Sequence, residues 1–185
     1  MTLKEKIILG IDPGTNVMGY GLIHSKGQKI SILQFGVIHL NKYKNHEIKL
    51  KKIYDRISEL IREFLPDEVA LEAPFYGKNV QSMLKLGRAQ GVAMAAALNK
   101  DIPINEYAPK RVKQSVTGNG NASKEQVAAM IENLLKLTNT PKLMDATDAL
   151  AVAICHHFST EIDGFRNKGG NSWKSFIVEN PNRIK

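Results

Sequence analysis

The sequence predicts an α/β fold with a five-stranded mixed sheet flanked by α-helices. Three apolar segments with short connections open the chain, at residues 7–11, 17–24 and 28–40, and are typical of an antiparallel meander. Apolar residues then recur at helical spacing over residues 47–64. A second buried strand follows at residues 68–72, and a helical crossover between two strands favours their parallel pairing.

The second half of the chain continues with a helix and a strand. Residues 78–99 predict a long helix that is rich in Ala, Leu, Met and Gly and contains no Asp or Glu. This helix is either an internal core helix or the interface of a homodimer, since its small residues suit close helix packing. A fifth short strand is predicted at residues 103–107.

A one-sided basic segment follows the fifth strand. Ser123 and Gln126 form a capping box that predicts the start of another helix. A helix N-terminus beside a lysine is a good phosphate site, whereas the alternative is an ordinary solvated loop. Between residues 107 and 125 there is no acid and there are four basic residues: Lys110, Arg111, Lys113 and Lys124.

Composition limits the class of protein. The chain has 185 residues, 43% of them hydrophobic, so we expect one folded domain at residues 1–159 and a polar, flexible tail at 160–185. Its apolar runs are too short for a membrane span, and the N-terminus lacks a secretory segment. The lone Cys155 excludes intrachain disulfides and cysteine-based zinc sites, as expected for a cytoplasmic protein. A net charge of +8 suggests a nucleic-acid partner.

Asp12 is the first candidate functional residue. It ends the first buried strand, and Pro13-Gly14 then forces a turn. Open α/β sheets commonly bind ligands at such strand ends, although an Asp can also cap its own turn. Glu72 repeats the pattern at the end of the fourth strand. If the two strands are parallel neighbours, Asp12 and Glu72 lie side by side.

Asp145 and Asp148 are three residues apart and therefore share one face of the last predicted helix. That helix is expected to start at Thr140-Pro141 and to end near Phe158. Counted from Pro141, both acids lie too deep to serve the helix dipole. Their neighbours are small or apolar, and no basic residue beyond Lys142 lies at helical spacing. A bound metal is therefore expected to offset the cost of burying them.

Four carboxylates without a His or Cys partner suit Mg²⁺ or Mn²⁺ better than zinc. Two such ions, held about 4 Å apart, can activate a water and stabilise the leaving oxygen in phosphodiester hydrolysis. In this scheme Asp12 bridges both ions, and Lys113 and Lys124 neutralise phosphate charge. Phe75 and Tyr76 follow Glu72 and could stack on an unpaired base, or Phe75 could fill the core.

Three segments, at residues 8–21, 71–79 and 145–151, carry most of the candidate functional residues, and segments at 84–93 and 107–114 lie between them. Together these segments resemble the RuvC family of Holliday-junction resolvases, and the match covers about residues 6–158 in order. The tail from Thr160, with Trp173, departs from the family pattern.

The resemblance implies a ribonuclease H-like fold and a homodimer, formed through the helix at residues 78–99. It also implies magnesium-dependent paired cutting of two like-polarity strands at a four-way DNA junction, in recombination and repair, alongside a branch-migration helicase. The implied catalytic metal ligands are Asp12, Glu72, Asp145 and Asp148, with Phe75 inserting at the junction. It further implies that Lys113 and Lys124 contact the DNA backbone. The candidate DNA-contacting residues as a whole are Phe75, Tyr76, Lys78, Asn79, Arg88, Lys110, Arg111, Lys113 and Lys124.

Two other classes compete with this interpretation. Residues 12–15 also resemble the first phosphate loop of the actin and sugar-kinase phosphotransferases. Those proteins need two lobes around a nucleotide, and this chain is too short for two. A non-catalytic DNA-binding module would explain the charge but not four converging acids.

Overall fold

A computed structural model describes residues 5–74, 79–137 and 144–168 of the chain, with side chains as far as residue 160. The strands are β1 (Glu5–Asp12), β2 (Val17–Lys26), β3 (Lys29–His39), β4 (Glu68–Glu72) and β5 (Ile104–Tyr107). The helices are α1 (His46–Phe64), α2 (Val80–Leu98), α3 (Pro109–Thr117), α4 (Lys124–Leu135) and α5 (Met144–Lys168). No helix in the described part of the chain has the length and apolar character needed to cross a membrane.

The five strands form one mixed sheet in the order β3-β2-β1-β4-β5. β1, β2 and β3 pair antiparallel, while β4 pairs parallel with both β1 and β5. Both the meander and the crossover predicted from the sequence are therefore confirmed. The strands β1, β4 and β5 all end at one end of the sheet, where β2 begins and β3 ends. We call this end the carboxyl edge.

Helices cover both faces of the sheet, and each face has its own core. One core joins the sheet to α1 and α2 and includes Leu9 and Ile11. The other core joins the sheet to α3, α4 and α5 and includes Ile8. Side chains alternate along a strand, so Asp12 continues the series of Ile8 and Gly10 on the face that carries α5.

Two glycines allow α5 to lie directly on the sheet. A Cβ added to Gly10 would collide with the carbonyl oxygen of Ala149, and one added to Gly19 would collide with that of Asp145. Isolated glycines inside strands commonly mark such close backbone approaches. The first two turns of α5 are therefore fixed against β1 and β2.

The structure adds one helix to those predicted from the sequence and corrects the end of another. Residues 109–117, for which the sequence predicted no element, form α3, which starts with Pro109 at its first turn and ends before Gly118. The last helix does not stop near Phe158 but continues to Lys168. Its expected start at Thr140-Pro141 lies outside the described residues. The division into a domain at 1–159 and a tail remains a prediction.

Candidate active site

Three carboxylates converge at the carboxyl edge. Asp12 comes from the end of β1, whereas Asp145 and Asp148 come from the first two turns of α5. One carboxylate oxygen from each of the three residues lies within 4.8 Å of the others. All three side chains are partly buried. We call this set the acid cluster.

Glu72 lies beside the acid cluster rather than within it. The last paired positions of β1 and β4 are Ile11 and Leu71, so Asp12 and Glu72 are the next residues along two parallel neighbours. Their electrostatic interaction is strong, because Glu72 is the largest influence on Asp12 after burial. The predicted side-by-side arrangement of Asp12 and Glu72 agrees with this register.

Burial, together with crowding of the acids, raises the pKa values of Asp12 and Glu72. Burial, followed by the negative charges of Glu72 and Asp148, raises the pKa of Asp12 to about 8. Burial and Asp148 likewise raise the pKa of Glu72 above its ordinary value. Shifts of this kind cluster at functional sites, where like charges are held together for a purpose.

Lys124 supplies positive charge to the acid cluster. Its ammonium lies 2.8 Å from an Asp148 carboxylate oxygen, and this hydrogen bond raises the pKa of Lys124. The capping box of Ser123 and Gln126 starts α4 and fixes Lys124 at its first position. Spacing along α5, on which the sequence-based argument rested, could not reveal this partner, because Lys124 lies on α4.

Asp145 lies in the first turn of α5 as the structure describes it, from Met144 onward, where the helix dipole favours a negative charge. The expected helix start at Pro141 lies outside the described residues, so the depth of Asp145 counted from there stays a prediction. Asp148 lies one turn further on, where the dipole gives little stabilisation.

Lys113 on α3 approaches the same site from the side of Glu72. Its positive charge lowers the pKa of Glu72, against the larger effects of burial and Asp148. Lys113 is partly buried, whereas Lys124 is exposed. The two lysines predicted to neutralise phosphate charge thus lie within electrostatic range of the predicted acids.

The loop after Asp12 is held from the side of β3 and α1. Lys49 of α1 donates a hydrogen bond to the Thr15 carbonyl oxygen at 3.0 Å, and the Leu40 amide donates to the Asn16 carbonyl oxygen at 2.8 Å. Sequence reasoning missed Lys49, which had no motif to mark it. Within the described residues, the Asp12 carboxylate accepts no hydrogen bond from its own turn. The alternative role as a turn cap is therefore not supported.

The remaining predicted DNA contacts occupy several positions. Asn79 caps α2 by accepting a hydrogen bond from the Ser82 amide at 3.1 Å, and Arg111 lies over the Tyr107 ring and donates to Ser159. Arg88 and Lys110 are exposed. Their contact with DNA remains a prediction. Phe75, Tyr76 and Lys78 lie outside the described residues.

The acid cluster fits a hard divalent cation. Its carboxylate oxygens are the donors that Mg²⁺ and Mn²⁺ prefer, and they lie close enough together to share an ion. A cation would also offset the burial and the repulsion between carboxylates that raise the pKa of Asp12. The site therefore has both the ligand chemistry and an electrostatic reason for metal binding.

The mixed five-stranded sheet, with acids at the ends of β1 and β4 and on α5, defines a nuclease of the ribonuclease H-like class. The family model for crossover junction endodeoxyribonuclease RuvC matches residues 8–156. The chain belongs to this family. The phosphotransferase alternative suggested by residues 12–15 therefore loses its basis.

Individual relatives agree with this assignment. The RuvC protein of Cytophaga hutchinsonii is 65% identical over 98% of this chain and 89% of its own length. That of Porphyromonas gingivalis is 58% identical over the whole of both chains. The structure of Thermus thermophilus RuvC in complex with a Holliday junction substrate has a TM-score of 0.80 and 32% identity. The match covers 85% of this chain and 96% of that one.

Proposed function

We propose that this protein resolves four-way DNA junctions by paired, metal-dependent hydrolysis of phosphodiester bonds in two strands of like polarity. The observation that carries the proposal is the acid cluster at the carboxyl edge of a ribonuclease H-like sheet, in a chain of the RuvC family. The Thermus relative, which binds a Holliday junction, supports the choice of substrate. This activity serves homologous recombination and DNA repair.

Two Mg²⁺ ions per active site are proposed, for which Mn²⁺ can substitute. Asp12, Glu72, Asp145 and Asp148 are the residues that would hold them. When bound, the ions supply activation of water and stabilisation of the leaving oxygen. The raised pKa of Asp12 means that this carboxylate must lose a proton before it can act as a ligand.

Lys124 and Lys113 add positive charge to the site. In the absence of DNA, Lys124 pairs with Asp148 at 2.8 Å. We propose that it turns to a phosphate oxygen when the Asp148 carboxylate binds a cation. Lys113 lies beside Glu72 and is placed to stabilise charge on the adjacent phosphate.

The paired reaction requires two active sites, and α2 is the proposed homodimer interface. Val80 and Leu84 are 66% and 52% exposed, and side chains added at Gly87 and Gly91 would meet open space. These four positions follow helical spacing and form one exposed face. A second copy of α2 packed on this face would bury the apolar residues. A branch-migration helicase partner and a cytoplasmic location are proposed from the same family membership.

The first prediction tests the acid cluster directly. We expect Asp12→Asn to retain junction binding and to lower the cleavage rate by about 10²-fold or more, the loss typical for one preorganised electrostatic group. Binding is measured by gel shift in Ca²⁺, and cleavage by single-turnover kinetics in Mg²⁺. Asp101→Asn is the matched control, because Asp101 is an exposed acid outside the site. Cleavage by Asp12→Asn at the wild-type rate would refute the metal-site proposal.

Substrate choice is tested with a synthetic four-way junction and a linear duplex of the same sequence, each in Mg²⁺ or EDTA. The proposal requires symmetric cuts in the junction, dependent on metal, and no cuts in the duplex. Equal cutting of both substrates would make the protein a general nuclease instead.

A further inference from the structure

A second basic surface lies at the carboxyl edge, on the opposite face of the sheet from the acid cluster. The segment from the end of β3 into α1, residues 39–52, contains five lysines and one glutamate. It therefore contributes half of the chain's net charge of +8. We call it the β3–α1 basic segment. It has no part in the site described above, apart from Lys49.

Its position places the β3–α1 basic segment near the proposed substrate. His39 ends β3 opposite Val17, and Asp12 lies opposite Gly19 on the next strand, so the segment starts two strands from Asp12. Two strand spacings correspond to about 10 Å. Lys49 connects the segment to the loop after Asp12 through its hydrogen bond to Thr15. DNA bound at the acid cluster would pass close to this surface.

The lysines at the start of the segment are available for binding. Lys42 and Lys44 are exposed, and none of the carboxylates that the structure describes pairs with either of them. Lys42 lies over the Tyr43 ring, 5.4 Å from its centre. By contrast, Lys51 pairs with Asp55 at 3.0 Å. The uncompensated charge is thus concentrated in the loop between β3 and α1.

An open cavity of about 650 Å³ continues from this loop along α1. Its lining includes the exposed Lys42, in the loop before α1, and the exposed Lys100, after α2. The basic residues of the lining exceed the acids by five to two: Lys42, Lys52, Arg56, Arg62 and Lys100 against Asp55 and Glu59. The cavity therefore presents a positive track that leads away from the carboxyl edge.

We propose that the β3–α1 basic segment and this cavity bind the phosphate backbone of a junction arm beyond the cleavage point. The inference rests on the proposed function and assigns a further DNA contact to it. A DNA arm is favoured over an acidic protein segment because phosphates already reach this edge during the reaction. The contact adds affinity and orients the arm, since backbone contacts position a protein on DNA without reading its sequence.

The test uses Lys42→Ala/Lys44→Ala in the full chain, with Lys26→Ala/Lys29→Ala as the matched control. The control removes the same number of lysines from the opposite end of the same sheet, where Lys26 pairs with Glu5. Equilibrium binding to a four-way junction is measured as a function of salt. A second junction carries neutral methylphosphonates about three to eight base pairs from the crossover, about 10–27 Å along an arm.

We expect the Lys42→Ala/Lys44→Ala variant to bind the junction roughly 10-fold more weakly at physiological salt, with a salt dependence shallower by about two. Neutralising the arm phosphates should weaken junction binding by the wild type and by the control variant. Binding by the Lys42→Ala/Lys44→Ala variant should be nearly unaffected. Its single-turnover cleavage rate at saturating protein should match the wild type, because neither lysine belongs to the catalytic site.

Equal affinity and equal salt dependence in the variant and the wild type would overturn the inference. The inference would also be overturned if the methylphosphonates weakened binding by the wild type and by the Lys42→Ala/Lys44→Ala variant to the same extent. That conclusion would stand even if an acidic peptide bound the same surface. These outcomes leave the proposed function intact, provided that the wild type cuts junctions in Mg²⁺. Failure of the wild type to cut any junction would instead overturn the proposed function.

Discussion

At the scale of single residues, Asp12 has the most perturbed environment in the candidate active site. It is surrounded by Glu72, Asp145 and Asp148, with Lys124 as a counter-charge. Its pKa of about 8 means that the metal-free protein retains a proton on this carboxyl at neutral pH. Cation binding should therefore release a proton and strengthen as the pH rises toward 8.

The same pKa predicts how stability depends on pH. The folded value of about 8 exceeds the ordinary 3.8, so the folded state binds the proton more tightly than the unfolded state does. The contribution that the Asp12 proton makes to the free energy of unfolding is complete below the ordinary pKa of 3.8. It is lost as the pH rises from there through about 8. In EDTA, the free energy of unfolding of the wild type should therefore fall relative to that of Asp12→Asn over this range. Urea denaturation at a series of pH values measures both.

Metal gives the complementary control for this prediction. Mg²⁺ at pH 8 should raise the melting temperature of the wild type more than that of Asp12→Asn, since the variant lacks one of the proposed metal ligands. Parallel stability curves for the two proteins in EDTA would show that Asp12 ionises normally. The crowded-carboxylate account of the site would then fail.

At the scale of secondary-structure elements, the site depends on how closely α5 approaches the sheet. Gly10→Ala should destabilise the protein by about 1–3 kcal/mol, because its methyl group would collide with the α5 backbone at Ala149. Moving α5 would also move Asp148, so cleavage should fall further than the unfolded fraction explains. Thermal unfolding and single-turnover kinetics measure the two effects separately.

Glu63→Ala is the matched control for this prediction. Glu63 is exposed on α1, away from the contact between α5 and the sheet and from the proposed α2 interface. The substitution should leave the free energy of unfolding within about 0.5 kcal/mol of the wild type. Equal stability changes for Gly10→Ala and Glu63→Ala would show that α5 accommodates the extra methyl group.

The elements also show what the sequence could predict. The pairing of β1 with β4 followed from the crossover helix, and it correctly placed Asp12 beside Glu72. The sequence did not predict α3, although Pro109 and Gly118 mark its two ends. Its only two buried residues are Val112 and Val116, and this pattern is too short to indicate a helix. Its boundary residues were the signal that could have revealed it.

Contacts between residues far apart in the sequence could not be predicted, for a different physical reason. Lys124 and Asp148 are 24 residues apart, and their contact depends on how α4 packs against α5. Spacing along one helix carries no information about a partner on another helix. The burial that raises the pKa of Asp12 likewise results from the whole fold.

At the scale of the whole molecule, charge is distributed unevenly between the two ends of the sheet. At the end opposite the carboxyl edge, Lys6 pairs with Glu68 and Lys26 with Glu5. At the carboxyl edge, Lys42 and Lys44 remain unpaired among the described residues. These unpaired lysines therefore attract a polyanion to the end of the sheet that carries the acid cluster. The attraction brings the phosphates toward the candidate catalytic groups.

The last prediction follows from the proposed dimer and concerns the coordination of the two cuts. Leu84→Asp places a charge on the exposed face of α2 and should convert the dimer to a monomer, because an unpaired carboxylate would be buried in the interface. Sedimentation equilibrium measures the change. On a plasmid with an extruded cruciform, paired cuts in one binding event give linear DNA, whereas independent cuts give nicked circles. The variant should shift the product from linear toward nicked.

Leu65→Asp is the matched control, because Leu65 is 75% exposed at the end of α1 and lies outside the α2 face. It should remain dimeric and give linear product. If Leu84→Asp also stayed dimeric and cut both strands together, the α2 face would not be the interface. If it became monomeric yet still gave linear product, paired cutting would not depend on the dimer. The position of the interface and its role in pairing the cuts are thus tested separately.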